Sequence, residues 1–289
     1  MIAVIFLIVL TLETVLYLLS RRQAATFFKD LDQKKYPLRN TFMPMGYYLL
    51  LLLGYKFRSS YDTKTLNKLA ELYDYRQSRY YLQIHWAQKT GNLLLALLLG
   101  SFLLLTYGET DLTLLVFVMF VCVLCFMIPD LETKKALEKR HLHLRLDFPD
   151  FINKLILLVN AGMTVTRAWE RIASSTQKET PLYAEIVTVY REIKGGKSEG
   201  EAYEEFARRC RIPEISRFIT VILQNMRKGN AEMVAVLRLQ ANECWDLRKH
   251  TAKRLGEEAS TKLLLPLMLM FLAILIIVGT PALLALNNM

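Results

Sequence analysis

The placement of basic residues constrains this chain more than any other feature. All 37 Lys and Arg fall in two blocks, thirteen between Arg21 and Lys89 and twenty-four between Lys134 and Lys262. Around these blocks lie four long apolar runs. Met1 to Leu19 carries Glu13 as its single charge; Thr90 to Gly108, Leu112 to Pro129 and Leu263 to Met289 carry none. A bilayer core of roughly 30 Å takes about 20 helical residues to cross, with about 17 tolerated. All four runs reach that length, the second and third only just. Lys/Arg-rich loops stay on the cytoplasmic side of a membrane. Both basic blocks are therefore expected in one compartment, with both termini and the turn Gly108-Glu109-Thr110-Asp111 on the other side.

These boundaries predict an all-α membrane protein with four transmembrane helices and a cytoplasmic six-helix antiparallel bundle. Residues 1–20 form the first span, read as an uncleaved anchor because its bases, Arg21 and Arg22, follow the apolar run. Residues 21–90 form a basic cytoplasmic helical linker domain. A transmembrane hairpin occupies 91–129, with helices at 91–107 and 112–129. Residues 130–262 form the second cytoplasmic domain, with its core at 148–262, and 263–286 the fourth span. The apolar stretch Phe42 to Tyr55 is too short for an ordinary span and would split the first basic block between two compartments. It reads as a buried or interfacial helix, with a re-entrant or true span as the alternative. Leu66, Leu69, Leu72 and Tyr73 recur at helical spacing after it.

The larger block reads as helix throughout. Phe151, Leu155, Leu158 and Val159 share one stripe that stops at Ala161-Gly162. Thr164 caps a second helix, and Thr180-Pro181 opens a third that stops at Gly195-Gly196. Ser198 and Glu201 have capping-box spacing. Pro213 opens a fifth helix that stops at Gly229. The sixth begins near Ala231 and meets no breaker before Pro266, about 50 Å at 1.5 Å per residue.

No constellation for catalysis, cofactor or metal emerges. Gly196-Lys197-Ser198 matches the end of a phosphate-binding loop, but Arg191 stands where its first glycine belongs and no strand precedes it. His141 and His143 are two apart, so on a helix they point about 200° away from each other and would not chelate jointly. His85 and His250 read as isolated. Cys122 and Cys125 lie inside an apolar run, and Cys210 and Cys244 in the second basic block, so a disulfide framework is not expected. Glu199, Glu201, Glu204 and Glu205 suit a solvated helix N-terminus. The net charge of +10 fits anionic lipid headgroups. The second block mixes both signs, so nucleic acid is not an expected partner. Glu13 has two readings: a contact with a partner's membrane helix, or a protonated or snorkelling side chain.

The order of parts and the local sequence then carry a resemblance. FPDFINKLILLVNAGMTVTRAWERIA, PLYAEIVTVYREIKGGKSEGEAYEEFARRCRIPEISRFITVILQNMRKGN and the long final helix resemble the type II secretion system F domain. Ala161, Gly162, Gly196, Ala202, Pro213 and Gly229 stand at the family's turn and small-residue positions. The layout is most like the TadC-type platform proteins of Flp (tight-adherence) pilus assembly, with one good copy of the domain where larger relatives have two. The resemblance implies a non-enzymatic, multi-pass protein of the bacterial inner membrane. Its implied partners are a secretion ATPase, a paralogous TadB-like platform protein, pilin or prepilin subunits and the lipid bilayer, in a homo- or hetero-oligomer. Arg208, Arg209 and Arg211 are the candidate ATPase-facing residues. A competence or sporulation F-domain protein is the related alternative; a small transporter is a more distant one.

Overall fold

The computed structural model describes residues 2–28, 31, 36, 38, 41–73, 77–107, 112–225 and 230–287. All regular structure among them is α-helix. The chain divides into two compact units, Met1–Arg140 and His141–Met289. Among the described residues three helices are long and apolar enough to cross a membrane: Ser78–Tyr107, Leu112–Asn160 and Val234–Gly279. The turn at 108–111 and Gly229 lie outside the described residues.

The first unit contains α1 (Ile2–Phe27), α2 (Phe42–Leu52), α3 (Ser60–Leu72), α4 (Ser78–Tyr107) and the start of α5 (Leu112–Asn160). Helices α1 and α4 run antiparallel. The Phe6 ring lies 6.2 Å from that of Phe102, Leu16 clusters with Leu94, and Tyr80 donates to the Phe27 carbonyl at 2.9 Å. The short apolar helix α2 is buried along Met43, Pro44, Met45 and Gly46. It meets α4 backbone to backbone. A Cβ on Gly46 would stand 2.7 Å from the Gly91 nitrogen and 2.8 Å from the Ala87 oxygen, and one on Gly91 would stand 2.8 Å from the Phe42 oxygen. Small residues at such a crossing let helices approach more closely than side chains allow.

Both hairpin helices outrun their apolar sequences. Helix α4 begins at Ser78, well before residue 91, and α5 continues past Pro129 and Pro149 as one helix of 49 residues. A proline inside a helix leaves the carbonyl four residues earlier without its usual donor. At Pro129 that carbonyl belongs to Cys125, and the Asn92 amide approaches it at 3.4 Å. Asn92 on α4 thus supplies a substitute donor where the sequence reads as a helix end.

The second unit draws on the rest of α5, then α6 (Val165–Ser175), α7 (Pro181–Lys194), α8 (Glu199–Cys210), α9 (Pro213–Asn225) and α10 (Asn230–Asn287). All six helices contribute to one apolar cluster, from Leu144 to Cys244. Its centre is aromatic. Phe151 packs edge-on to Trp169 at 4.8 Å, and Trp169 does the same to Phe206 at 5.2 Å. The Trp169 indole N–H, buried with the ring, donates to the Ile186 carbonyl at 3.1 Å, so burial of the polar edge carries no desolvation penalty.

The links between these helices follow turn chemistry. Gly162 has φ +91° and Gly196 φ +93°. Around each, the next residue's N–H returns to the carbonyl five residues back, Met163 to Leu158 and Lys197 to Glu192. That is the Schellman closure, which needs the left-handed conformation glycine adopts without strain. Thr164 accepts from the Arg167 N–H and Ser198 from the Glu201 N–H. Pro213 is the first residue of α9. Helix α10 has 58 residues, is about 87 Å long at 1.5 Å per residue, and passes through Pro266 without a break.

Candidate functional site

The richest polar constellation lies in the first unit, where α3, α4 and α5 meet. Lys89 of α4 is buried, and its ammonium contacts Asp130 of α5 at 2.7 Å. It also donates to the Tyr61 hydroxyl of α3 at 2.7 Å and sits over the rings of Tyr61 and Phe126, 4.4 Å and 4.6 Å from their centroids. Tyr61 donates to Asp130, and His85 lies 3.0 Å from the same carboxylate oxygen. Asp62, the residue after Tyr61, accepts from Tyr55, the Trp86 indole and the Ser59 backbone N–H.

Each charge in this cluster therefore has an opposite charge or a hydrogen-bond partner in reach. A buried ion pair is tolerated only when the remaining donors and acceptors are met in this way. The result is a lock that fastens α3 to the α4–α5 pair just where the apolar runs begin. His85 is not isolated, as its sequence surroundings suggested. Its partner, Asp130, is 45 positions away in the chain. The available signal was positional: Lys89 precedes the second apolar run and Asp130 follows the third, so an antiparallel hairpin puts them at one level.

Glu13 occupies the other unusual position. It is 4% exposed, and neither carboxylate oxygen has a hydrogen-bond partner among the described residues. Its neighbours on α1 at positions 7, 8, 10, 12, 15, 18 and 19 are apolar and exposed. The carboxyl is thus turned away from the outer face of α1, towards the unit's interior.

In the second unit the three candidate arginines separate. Arg209 joins α8 to α7: its guanidinium reaches Glu185 at 2.6 Å, Glu192 at 3.0 Å and Glu205 at 3.4 Å. Lys197, part of the sequence resembling a phosphate loop, is bound to Glu205 and Glu192. Its ammonium, more than any other group, holds the Glu205 carboxyl below the usual range. Arg208 is mostly exposed, reaches Glu205 at 3.7 Å, and lines a groove between α8 and α9 with Glu204, Ala207, Ile219 and Leu223. Arg211 is exposed and has φ +51°, an unusual conformation for a residue with a side chain. Arg208 and Arg211 are exposed, and Arg209 is half-buried in the network that joins α7 and α8.

A second ionic knot ties α5 to the α6–α7 connection and to α7. Asp150 accepts from Tyr183 at 2.9 Å, Lys178 at 3.0 Å and Lys154 at 3.1 Å. Burial alone would raise its pKa, but these three donors outweigh that effect and hold it at about 2. Burial and then Asp150 push the Tyr183 hydroxyl the other way, well above its ordinary value. Burial, then Glu214 and Glu243, raise the Cys244 thiol to about 11, which keeps it an unreactive packing group. Among the described residues no group of three His, Cys, Asp or Glu is placed to hold a metal ion, and all four cysteines are free.

Residues 151–281 match the family model of the type II secretion system (T2SS), protein F. That segment takes in the C-terminal end of α5, the four short helices and most of α10, and therefore carries this domain. No curated protein and no solved structure matches the chain.

Proposed function

We propose that this chain, which carries a type II secretion system protein F domain at residues 151–281, is a non-catalytic platform protein of the bacterial inner membrane. In this reading it couples a cytoplasmic secretion ATPase to the assembly of pilin subunits in a type IV or Flp (Tad) pilus or a related secretion machine. The match to protein F is the observation that carries the reading. Two features support it. The basic residues obey the charge rule for four spans with both large domains in the cytoplasm. The constellations of buried and paired charges also read as fasteners, which suits a protein that transmits force.

The proposed path starts on the face that presents Arg208 and Arg211, passes through the aromatic core and enters α10. That helix is continuous from the cluster at Leu237 and Cys244 into the apolar run beyond Leu263. A paralogous TadB-like subunit completes the platform. The turns at Ala161-Gly162, Gly196 and Pro213 set the helix directions.

Co-purification from membranes tests the assignment. The full chain is expected to retain a secretion ATPase and a second platform protein. The identity of the ATPase separates a pilus pathway from competence or sporulation. ATP turnover by the purified chain alone would contradict it. Reporter fusions at Ser60, Thr110 and Gly200 are expected to read in, out, in, and a cytoplasmic Thr110 would end the topological argument.

A further inference from the structure

Glu13 is a buried carboxyl with no counter-charge among the described residues. Among the described residues it is the only side chain with both carboxylate oxygens buried and unpartnered. It lies between two contacts that pair α1 with α4, the Phe6–Phe102 ring contact and the cluster of Leu16, Met45 and Leu94. Leu16 is one helical turn from Glu13 and is also buried. The carboxyl therefore lies on the face by which α1 docks.

The elements packed against α1 bring no charge to this point. On α2 the titratable side chains are Tyr47, stacked on Phe27, and Tyr48, beside the Leu16 cluster. On α4, Lys89 and His85 are committed to Asp130, Tyr80 bonds the Phe27 carbonyl and Tyr81 stacks on Tyr73. Arg79 is exposed, as is Tyr107 at the far end of α4. On α1 itself Tyr17 and Arg21 point outward.

An ionised carboxylate so enclosed, with neither hydrogen bond nor counter-ion, is not a stable arrangement. A neutral acid in the same place costs far less. We propose that Glu13 is a proton-binding site and that its occupancy controls the docking of α1 on α2 and α4. With a proton on one carboxyl oxygen, α1 seats as observed. When that proton returns to bulk water, the anion requires solvent or a headgroup, and α1 turns or withdraws from the pair. The sign follows: docking is favoured at low pH and opposed as pH rises, because the undocked state has the greater affinity for the charge. Leu16, one turn from Glu13, clusters with Met45 of α2 and Leu94 of α4, so the protonation state of Glu13 is communicated to the backbone contact between Gly46 and Gly91.

The test uses the full chain in lipid vesicles, with its four native cysteines replaced by alanine and new ones introduced as Phe6→Cys and Phe102→Cys. A short bis-thiol linker reads whether α1 is docked. Cross-linking is expected to fall about tenfold between about pH 4 and about pH 9, a window that opens near the ordinary value of a glutamate carboxyl and extends well above it. Glu13→Gln, a neutral side chain of the same shape, is expected to cross-link at the acid level throughout. Dicyclohexylcarbodiimide, which attacks protonated carboxyls shielded from water, gives a second readout independent of the cysteine pair. It should modify Glu13 in acid and leave Glu13→Gln unmodified at that site. Cross-linking that ignores pH while Glu13 carries its acid, the same decline in Glu13→Gln, or no carbodiimide modification of Glu13 at acid pH would each overturn the proposal.

Discussion

The two units hold themselves together by different means. Among the described residues, every buried Ser, Thr, Asp, Glu, His or Lys side chain belongs to the first unit, from Glu13 to Ser101. The core cluster of the second is made of residues from Leu144 to Cys244 without Asp, Glu, Lys or Arg among them; its ionic knots lie at the margin, where Tyr183 of the cluster donates to Asp150. The first unit has only small apolar clusters, such as Phe28, Leu31, Met43, Ile84 and Ala87. Much of the apolar surface of α1 and α4 remains exposed. Lipid offers no hydrophobic gain for bringing helices together, so close backbone contact and internal hydrogen bonds do that work. A water-facing domain instead gains from apolar burial.

The contrast is broken most forcefully from the aromatic side. Trp169→Ala removes the ring at the centre of the second unit and the bond to the Ile186 carbonyl. A loss of about 3–5 kcal/mol is expected, read as early cleavage within 165–225 under limited proteolysis, with α1–α4 unaffected. Next comes the lock in the first unit. Asp130→Ala strands the buried Lys89 ammonium and is expected to destabilise the unit by about 3 kcal/mol. Replacing both charges, Lys89→Met with Asp130→Leu, is expected to recover most of that loss, because the unpaired charge is gone. If the double replacement is as damaging as the single one, the cluster does more than neutralise itself.

A steric test separates the units as clearly. Gly91→Ala forces a methyl group against the Phe42 carbonyl, where the neighbour is backbone and has little room to yield. A cost of about 1–3 kcal/mol is expected, visible as faster hydrogen exchange in α2. The same change at Gly256, where a Cβ meets nothing within 4 Å, should instead stabilise α10 by up to about 1 kcal/mol.

The helical parts of the second unit were legible because local chemistry decides them: Thr164, Pro181, Ser198 and Pro213 cap or open helices, and Gly162 and Gly196 close them. The helix ends of the hairpin were not. Pro129 reads as a stop until Asn92, 37 positions earlier, is seen to approach the freed Cys125 carbonyl. The Lys89–Asp130–His85–Tyr61 cluster was also hidden, because it assembles across three helices and no spacing in the chain records it. The ion pairs of Arg209 were hidden for the same reason. A base in a run of bases looks like surface, and only the fold brings Glu185 and Glu192 to it.

Acid should loosen the second unit before it affects the apolar core. Asp150 has its pKa depressed to about 2, so the knot with Lys178, Tyr183 and Lys154 contributes fully above the unfolded carboxyl's value near pH 4. That contribution is lost as pH falls through the folded value. The carboxylate is partly exposed, which limits the effect to about 1 kcal/mol. Denaturant midpoints between about pH 5 and pH 2 are expected to fall less for Asp150→Asn than for the unaltered chain; equal slopes would place the acid sensitivity elsewhere.

The smallest effect is the most discriminating one for function. Arg211 is in the left-handed region at φ +51°, after the last turn of α8. That conformation costs a residue with a Cβ about 1 kcal/mol, and glycine is spared it. Arg211→Gly is therefore expected to stabilise the second unit by about 0.5 kcal/mol once glycine's greater freedom in the unfolded chain is subtracted. If Arg211 belongs to an ATPase-facing surface, the same change removes a contact charge, so thermal stability rises while ATPase retention falls. Arg209→Ala should do the reverse in part, lowering stability by opening the α7–α8 network. Opposite movements of stability and retention in Arg211→Gly would identify a residue kept for a partner at the expense of its own fold; parallel movements would assign its unusual backbone to the turn alone.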